Sequence, residues 1–213
     1  MSEISKSYLK QLINNPKPFI LDVGTYDGKD AYELSKEWDH NCTVHCFEPD
    51  NRSRAIFISK YTGIKSMTLH PFALTDVDGE VDFYKSDSET RRHENGANFW
   101  AASSSCMKPT GHLKAFPDVS FYSPEKVQSK RLDSWYTPGM PIIDLAWVDV
   151  NGAEERFLRG SRKSLLFTRF VFMEISHGLY KDSGLSLMPD FDLIDVYDRH
   201  DQYENILFKN KFL

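Results

Sequence analysis

Two hydrophobic rhythms alternate along this chain. Ile4, Tyr8, Leu12 and Ile13 recur at helical spacing and predict an amphipathic opening helix. Asn15-Pro16-Lys17-Pro18 stops it, because proline lacks an amide donor and turns its predecessor away from the helical region. Phe19-Ile20-Leu21-Asp22-Val23 then runs almost unbroken into Gly24 and Gly28. Such an apolar run closed by glycines reads as a buried parallel strand turning into a helix. Ala31, Leu34, Ser35 and Trp38 carry that helix, and Thr43 to Phe47 is a second strand. A helix over Asn51 to Tyr61, with Ile56, Phe57 and Tyr61 inward, leads to a third strand from Met67 to Phe72. After the turn residues Thr75-Asp76-Val77-Asp78-Gly79, the stretch Glu80 to Tyr84 alternates like a half-buried strand.

Between Lys85 and Ser129 the rhythm is lost. Ser86 to Gly96 is polar and charged, and Asn98, Ser103, Ser104 and Ser105 follow among the aromatics Phe99, Trp100, Phe116, Phe121 and Tyr122. A connector of this length on a compact scaffold predicts a lid or binding loop. Regularity returns at Val127, with Arg131 to Trp135 as a strand end and short helix. Ile142 to Val148 is another buried strand, followed by a helix through about Leu165, and Arg169 to Ile175 is a core strand. Phe191 to Tyr197 and Asn205 to Phe208 have the spacing of an antiparallel pair. Together these elements predict an α/β three-layer sandwich of Rossmann type, its sheet mostly parallel with an antiparallel C-terminal hairpin. One domain over 1–213 is expected, with the insertion at about 85–129, since domains commonly run to about 100–200 residues and can exceed that.

Charge and cysteine usage narrow the partners. A formal net charge of -5 argues against nucleic acid, which is held by clustered Lys and Arg. No apolar run approaches the roughly 20 residues needed to span a bilayer, and the first residues lack the apolar core of a signal peptide. Three cysteines, Cys42, Cys46 and Cys106, are an odd number that suits free thiols in the cytoplasm. Cys42, His45 and Cys46 do not form a metal site: on a strand the two thiols share one face, His45 takes the other, and no second ligand pair has zinc-like spacing.

The candidate chemistry gathers at strand ends. Asp22 stands at the end of the first strand, where ligands of open α/β sheets bind. Glu48 follows Gly28 by twenty residues, the separation at which a second-strand carboxylate meets a ribose diol. The turn, however, is Gly24-x-x-x-Gly28 rather than Gly-x-Gly-x-x-Gly. A dinucleotide's pyrophosphate would be repelled by Asp22, whereas a sulfonium or an amino group would be attracted. The expected cofactor is therefore S-adenosylmethionine rather than NAD.

The same motifs resemble a known family. Asp22-Val23-Gly24 with Gly28, Phe47-Glu48-Pro49, Ala73-Leu74-Thr75-Asp76 with Gly79, Leu132-Asp133 and Asp149-Val150-Asn151-Gly152-Ala153-Glu154 are similar to those of the FkbM S-adenosylmethionine-dependent methyltransferases. Leu158-Arg159-Gly160 and Met173-Glu174-Ile175 continue the likeness, in order, to about residue 177. One departure is Asn151, where the family usually has glutamate. The resemblance implies methyl transfer to a hydroxyl of a sugar, glycan or secondary metabolite, without a metal. Transfer to nitrogen or carboxylate, or a silent cofactor-binding scaffold, is the alternative. It further implies a cofactor site of Asp22, Gly24, Thr25, Tyr26, Gly28, Glu48, Pro49 and Asp149, with Phe72 and Ala73 as a wall for adenine. His177 is the expected base, because imidazole titrates near neutrality; Asp149 and Glu174 are the other catalytic candidates. Asn98, Ser103, Ser104 and Asn151 are expected to meet a small-molecule or glycan acceptor.

Overall fold

The computed structural model describes residues 4–91, 98–177, 179 and 185–213. Residues 92–97 of the polar stretch lie outside that set. Helix α1 (Lys6–Ile13) buries Leu9 and Ile13 and ends at Asn14, which takes a left-handed backbone (φ 45°). Strand β1 (Phe19–Val23) is buried throughout, then α2 (Lys29–Glu37), β2 (Thr43–Phe47), α3 (Asn51–Tyr61) and β3 (Met67–His70) follow. After these come β4 (Ala73–Leu74), β5 (Gly79–Phe83), β6 (Ser86–Ser88), α4 (His112–Ala115), β7 (Val119–Phe121) and β8 (Glu125–Lys130). The last third holds α5 (Leu132–Trp135), β9 (Ile143–Val148), α6 (Glu154–Gly160), β10 (Thr168–Ser176), β11 (Phe191–Tyr197) and β12 (Tyr203–Asn210).

Seven strands form the main sheet in the order β11-β12-β10-β9-β1-β2-β3. Pairing is parallel from β10 through β9, β1 and β2 to β3, and antiparallel at β10–β12 and β11–β12. The expected fold is the one observed, including the terminal hairpin. Chain order reverses between β1 and β9, so the crevice above their C-terminal ends is the topological switch point where such sheets bind ligands.

Strand alternation sorts the core into two layers. Ile20, Val44, Cys46, Leu145, Trp147, Phe170, Phe172 and Leu207 pack with Leu9, Ile13, Ala31, Leu34 and Phe57 of α1 to α3. Leu21, Val23, Phe47, Ala146, Val148, Val171, Met173 and Ile206 face Leu132, Phe157 and Leu158 of α5 and α6. Ile20, Leu21, Leu145 and Met173 are wholly removed from water, each contributing about 1.5–3 kcal/mol. That makes the central strands a rigid floor for the crevice. The parity also settles the thiols: Cys42 and Cys46 are buried on the α1–α3 side, while His45 lies on the other, its Nδ1 2.9 Å from His70 Nε2.

Two predicted elements end earlier than expected. The third strand stops at His70 because Pro71 has no N–H for the ladder. Ala73 and Leu74 leave the main sheet and pair with β8 in a second sheet, β4-β8-β5. Helix α6 ends at Gly160, against the Thr75 loop: a Cβ there would come within 1.9 Å of the Thr75 carbonyl oxygen. The insertion is built rather than featureless. β6 pairs with β7, Tyr84 bridges to Ser105, and Ser86 Oγ accepts from Ser103 N (3.2 Å) and donates to the Trp100 carbonyl (3.0 Å). No helix among the described residues is long and apolar enough to cross a membrane.

Candidate active site

The turn after β1 is held by backbone geometry that few sequences permit. Gly24 has φ 83°, and a Cβ there would lie 1.8 Å from the Asp149 carbonyl oxygen. The close approach permitted by this glycine is thus that of the neighbouring strand end. Gly24 N and Thr25 N both donate to the Phe47 carbonyl (3.0 and 3.1 Å), and Asp149 N donates to Val23 O (2.9 Å), so three strand ends are tied at one point. Tyr26 is also left-handed (φ 51°), a conformation costing roughly 1–3 kcal/mol. It aims the Tyr26 N–H at Glu48 Oε2, 2.9 Å away. Gly28 (φ 84°) begins α2 one turn behind the crevice, where a Cβ would strike the Phe57 ring at 2.3 Å. Its lack of a Cβ lets α2 pack against α3, and it is not among the residues lining the cavities at the strand ends.

Three adjoining cavities run along the strand ends, of about 650, 710 and 610 Å³ including their open mouths. The first lies between Glu48, Pro49, Ala73, Leu74 and the Ala101–Cys106 stretch of the insertion. The second is walled by Asp22, Thr25, Asp27, Asp30, Trp100 and Trp147. The third lies between Trp147 and the terminal hairpin, with Glu174, Asp198, Tyr203 and Asn205 around it. Asp149 lines all three.

Burial controls the charges here. It pushes the Asp22 carboxyl up to about 8, against a hydrogen bond from the Thr25 hydroxyl. Glu48, 6% exposed, is also raised to about 8 by burial, although its two oxygens accept from Tyr26 N and Asp50 N (2.9 and 2.6 Å). Asp149 is raised to about 6, by burial and then by Asp30, and its Oδ1 is shielded from solvent with no hydrogen-bond partner. Burial, then Asp149 and Glu154, push Glu174 well above the carboxylate range. Among the described residues no group of three or more His, Cys, Asp or Glu is arranged to hold a metal ion.

The structure brings Asp22, Gly24, Thr25, Tyr26, Glu48, Pro49, Ala73, Ser104, Asp149, Asn151 and Glu174 to the cavity walls. Asn151, left-handed at φ 49°, donates its amide to the Ala102 carbonyl (3.1 Å) and so fastens the strand-end loop to the insertion. Besides Gly28, four expected residues stand elsewhere. Phe72 does not line the cavity: the turn at Pro71 sends it into a cluster with Phe47 and His70, under Lys130. Leu74 and Phe83 supply apolar wall instead. Ser103 is buried behind the wall and Asn98 is exposed outside it. His177 continues the β10 ladder by one bond, donating its N–H to Gln202 O. Strand alternation turns its ring away from Glu174, and its Nε2 lies 3.1 Å from Glu204 Oε1 on the outer side of the hairpin. Sequence reading missed Trp100, Trp147, Asp30, Asp198, Tyr203 and Asn205. Only Trp147 left a signal, as an aromatic at a predicted strand end, and its β1 register partner is Asp22.

A reversal point between two parallel strands, a glycine turn beneath it and an acid ending the second strand define a Rossmann-like class I methyltransferase fold. The methyltransferase FkbM domain matches residues 22–207, and the chain belongs to that family. It is 34% identical over 195 residues to the 2-O-methyltransferase NoeI of Sinorhizobium fredii (strain NBRC 101917 / NGR234), covering 88% of this chain and 78% of that protein. Among solved structures it is similar to the methyltransferase FkbM of Methylobacillus flagellatus KT (TM-score 0.56, 13% identity), covering 91% of this chain but only 44% of that one. Fibrillarin of Aeropyrum pernix, solved with natively bound S-adenosyl-L-methionine, gives TM-score 0.51 at 15% identity, covering 95% of this chain and 72% of fibrillarin. At such identities the structural likeness is one of fold.

Proposed function

We propose that this protein is an S-adenosylmethionine-dependent O-methyltransferase acting on a hydroxyl of a sugar, glycan or other small hydroxylated molecule. The observation that carries the reading is Asp149, a carboxylate with a solvent-shielded, unpartnered oxygen, common to all three cavities. The similarity to a 2-O-methyltransferase supports oxygen as the acceptor atom.

The residues fit the cofactor. Glu48 spends one lone pair of each oxygen on a backbone N–H, which leaves capacity for the two hydroxyls of a ribose. Ala73, Leu74 and Phe83 offer the apolar wall an adenine needs. Asp22, Asp27 and Asp30 around the middle cavity suit an amino group and a sulfonium and would repel a pyrophosphate. When bound, the cofactor supplies a methyl group already activated on positive sulfur.

The protein's part is then to exclude water, orient the hydroxyl and take its proton. Asp149 takes that proton in this reading: at about 6 its carboxyl is a stronger base than an exposed aspartate yet ionised at neutral pH. Glu174, its carboxyl also pushed up by burial and by Asp149, is a neighbour of that site rather than the acceptor in this reading. His177 contacts Glu204 outside the crevice and is not assigned to this step. Trp100 to Cys106 of the insertion act as the lid-like wall of one domain. The free cysteines fit a cytoplasmic setting, and the net charge of -5 fits a small acceptor rather than nucleic acid.

The test is turnover of methyl-labelled cofactor with a panel of hydroxylated, amino and carboxylate acceptors. Alkali-stable label on the hydroxylated acceptors is expected. Label that alkali releases as methanol would instead mean carboxyl methylation. Tight S-adenosylhomocysteine binding with no turnover on any acceptor would mean a silent scaffold.

A further inference from the structure

The third cavity contains chemistry that cofactor binding does not use. β10 and β12 pair so that Glu174 stands opposite Asn205 and Ser176 opposite Tyr203. By strand alternation Phe172, Glu174, Tyr203 and Asn205 share the sheet face of Trp147, on the α1–α3 side. Asp198, left-handed at φ 41°, opens the hairpin turn above them. The side chains of Glu174, Asp198, Tyr203 and Asn205 hydrogen-bond to no other described residue. Four polar side chains in one concavity with no partner among the described residues are capacity for a ligand.

We infer that this cavity is an acceptor subsite for a neutral polyhydroxylated ring, in which Glu174, Asp198, Tyr203 and Asn205 bind hydroxyls neighbouring the one presented to Asp149. The inference rests on the O-methyltransferase reading above. Carboxylates accept hydroxyl protons, while Asn205 and Tyr203 both donate and accept, a mixture that matches adjacent hydroxyls. Trp147 and Phe172, tilted against each other with centroids 4.2 Å apart, supply the apolar edge that a sugar's C–H face requires. Trp147 and Asp30 also border the middle cavity, so a ring seated here lies next to the site of transfer.

The lining also discriminates by charge. Asp30, Asp149, Glu174 and Asp198 surround the cavity, and among the described residues no Lys or Arg lines it. Lys6 of α1 comes near, but its ammonium is 2.7 Å from Asp30 and lies over the Trp147 ring at 4.0 Å. A phosphate, sulfate or uronate on the acceptor would face Asp149, Glu174 and Asp198, with Lys6 already paired to Asp30. Such acceptors are excluded.

The experiment is saturation-transfer NMR on the protein loaded with S-adenosylhomocysteine. The probes are methyl glucoside, methyl galactoside, methyl mannoside, methyl glucuronide and glucose 6-phosphate. At least one neutral glycoside should receive saturation, and the two anions should not. Asp198→Asn, which suits the left-handed backbone, combined with Asn205→Ala should weaken that glycoside at least fivefold while the affinity for S-adenosylhomocysteine stays within twofold. Tyr203→Phe, which removes only a hydroxyl, should weaken it two- to fivefold and serves if the double variant misfolds. The inference is overturned if no neutral glycoside is contacted, if the anions are contacted equally, or if the variants bind as the parent does. Displacement of the glycoside by ethylammonium at equal concentration would overturn it too, since the acids would then be a cation site. Failure of the parent to bind S-adenosylhomocysteine at all would instead sink the cofactor reading.

Discussion

Glu48 and Glu174 both end strands of the same sheet and both have carboxyls raised by burial, yet their surroundings differ in kind. Glu48 is locked by two backbone N–H groups from the turns beside it, with Arg54 donating to its own carbonyl at 3.1 Å. Glu174 faces Asn205 and has neighbouring carboxylates but no donor. The carboxylate at the first cavity is paired by the fold itself, whereas the polar groups around the third are left open. A cofactor that never changes suits a rigid, prepaired site. An acceptor is best distinguished by groups left open, because an unmatched molecule then leaves buried polar atoms unpaired.

Substitutions can break this contrast at its shared member. Asp149→Asn should lower turnover by roughly 10²–10⁴ and leave S-adenosylhomocysteine affinity within a few-fold, since its backbone anchor to Val23 is kept. In the unsubstituted protein turnover should fall as pH drops through about 6, where the Asp149 carboxyl gains its proton. A His177→Ala rate that collapses while Asp149→Asn stays active would reverse the assignment.

Gly24→Ala should damage both halves together. Its Cβ would overlap the Asp149 carbonyl, a backbone atom that no rotamer change can move. Left-handed strain and overpacking together predict a loss of about 2–5 kcal/mol in denaturant unfolding. A Gly24→Ala protein of parental stability would mean the turn can shift.

Glu48→Gln sharpens the contrast, because it should touch only the finished half. S-adenosylhomocysteine affinity should fall by about 1.5–3 kcal/mol by calorimetry, while the acceptor KM at saturating cofactor stays constant. Unchanged affinity would remove Glu48 from the cofactor site.

The remaining effect is on how stability depends on pH. Asp22 and Glu48 have folded pKa values near 8, above those of unfolded carboxyls, so the folded state holds protons that the unfolded state has released. Their contribution is therefore greatest at low pH and is lost as pH rises through 8. The thermal midpoint of the ligand-free protein should fall between pH 6 and 9, and the double variant Asp22→Asn with Glu48→Gln should flatten that fall. A midpoint that rises over this range would contradict the burial of these acids.

Much of this was legible in the chain itself. The run Phe19 to Val23 with its glycines, the strand ending at Glu48 and the alternation before Asp149 depend on local spacing, and local spacing is a one-dimensional property. They determined the α/β fold and the crevice, and they carry the cofactor reading proposed above. The positions of Phe72 and His177 could not be read this way. One depends on where Pro71 turns the chain, the other on which side of β12 its strand parity faces. Asp30, Trp100, Asp198, Tyr203 and Asn205 come from a helix, an insertion and a hairpin far apart in sequence. Only the pairing of β10 with β12 and the folding of residues 98–106 over β1 carry them to one crevice, because a contact between distant residues is decided by packing and register rather than by the residues' own neighbours.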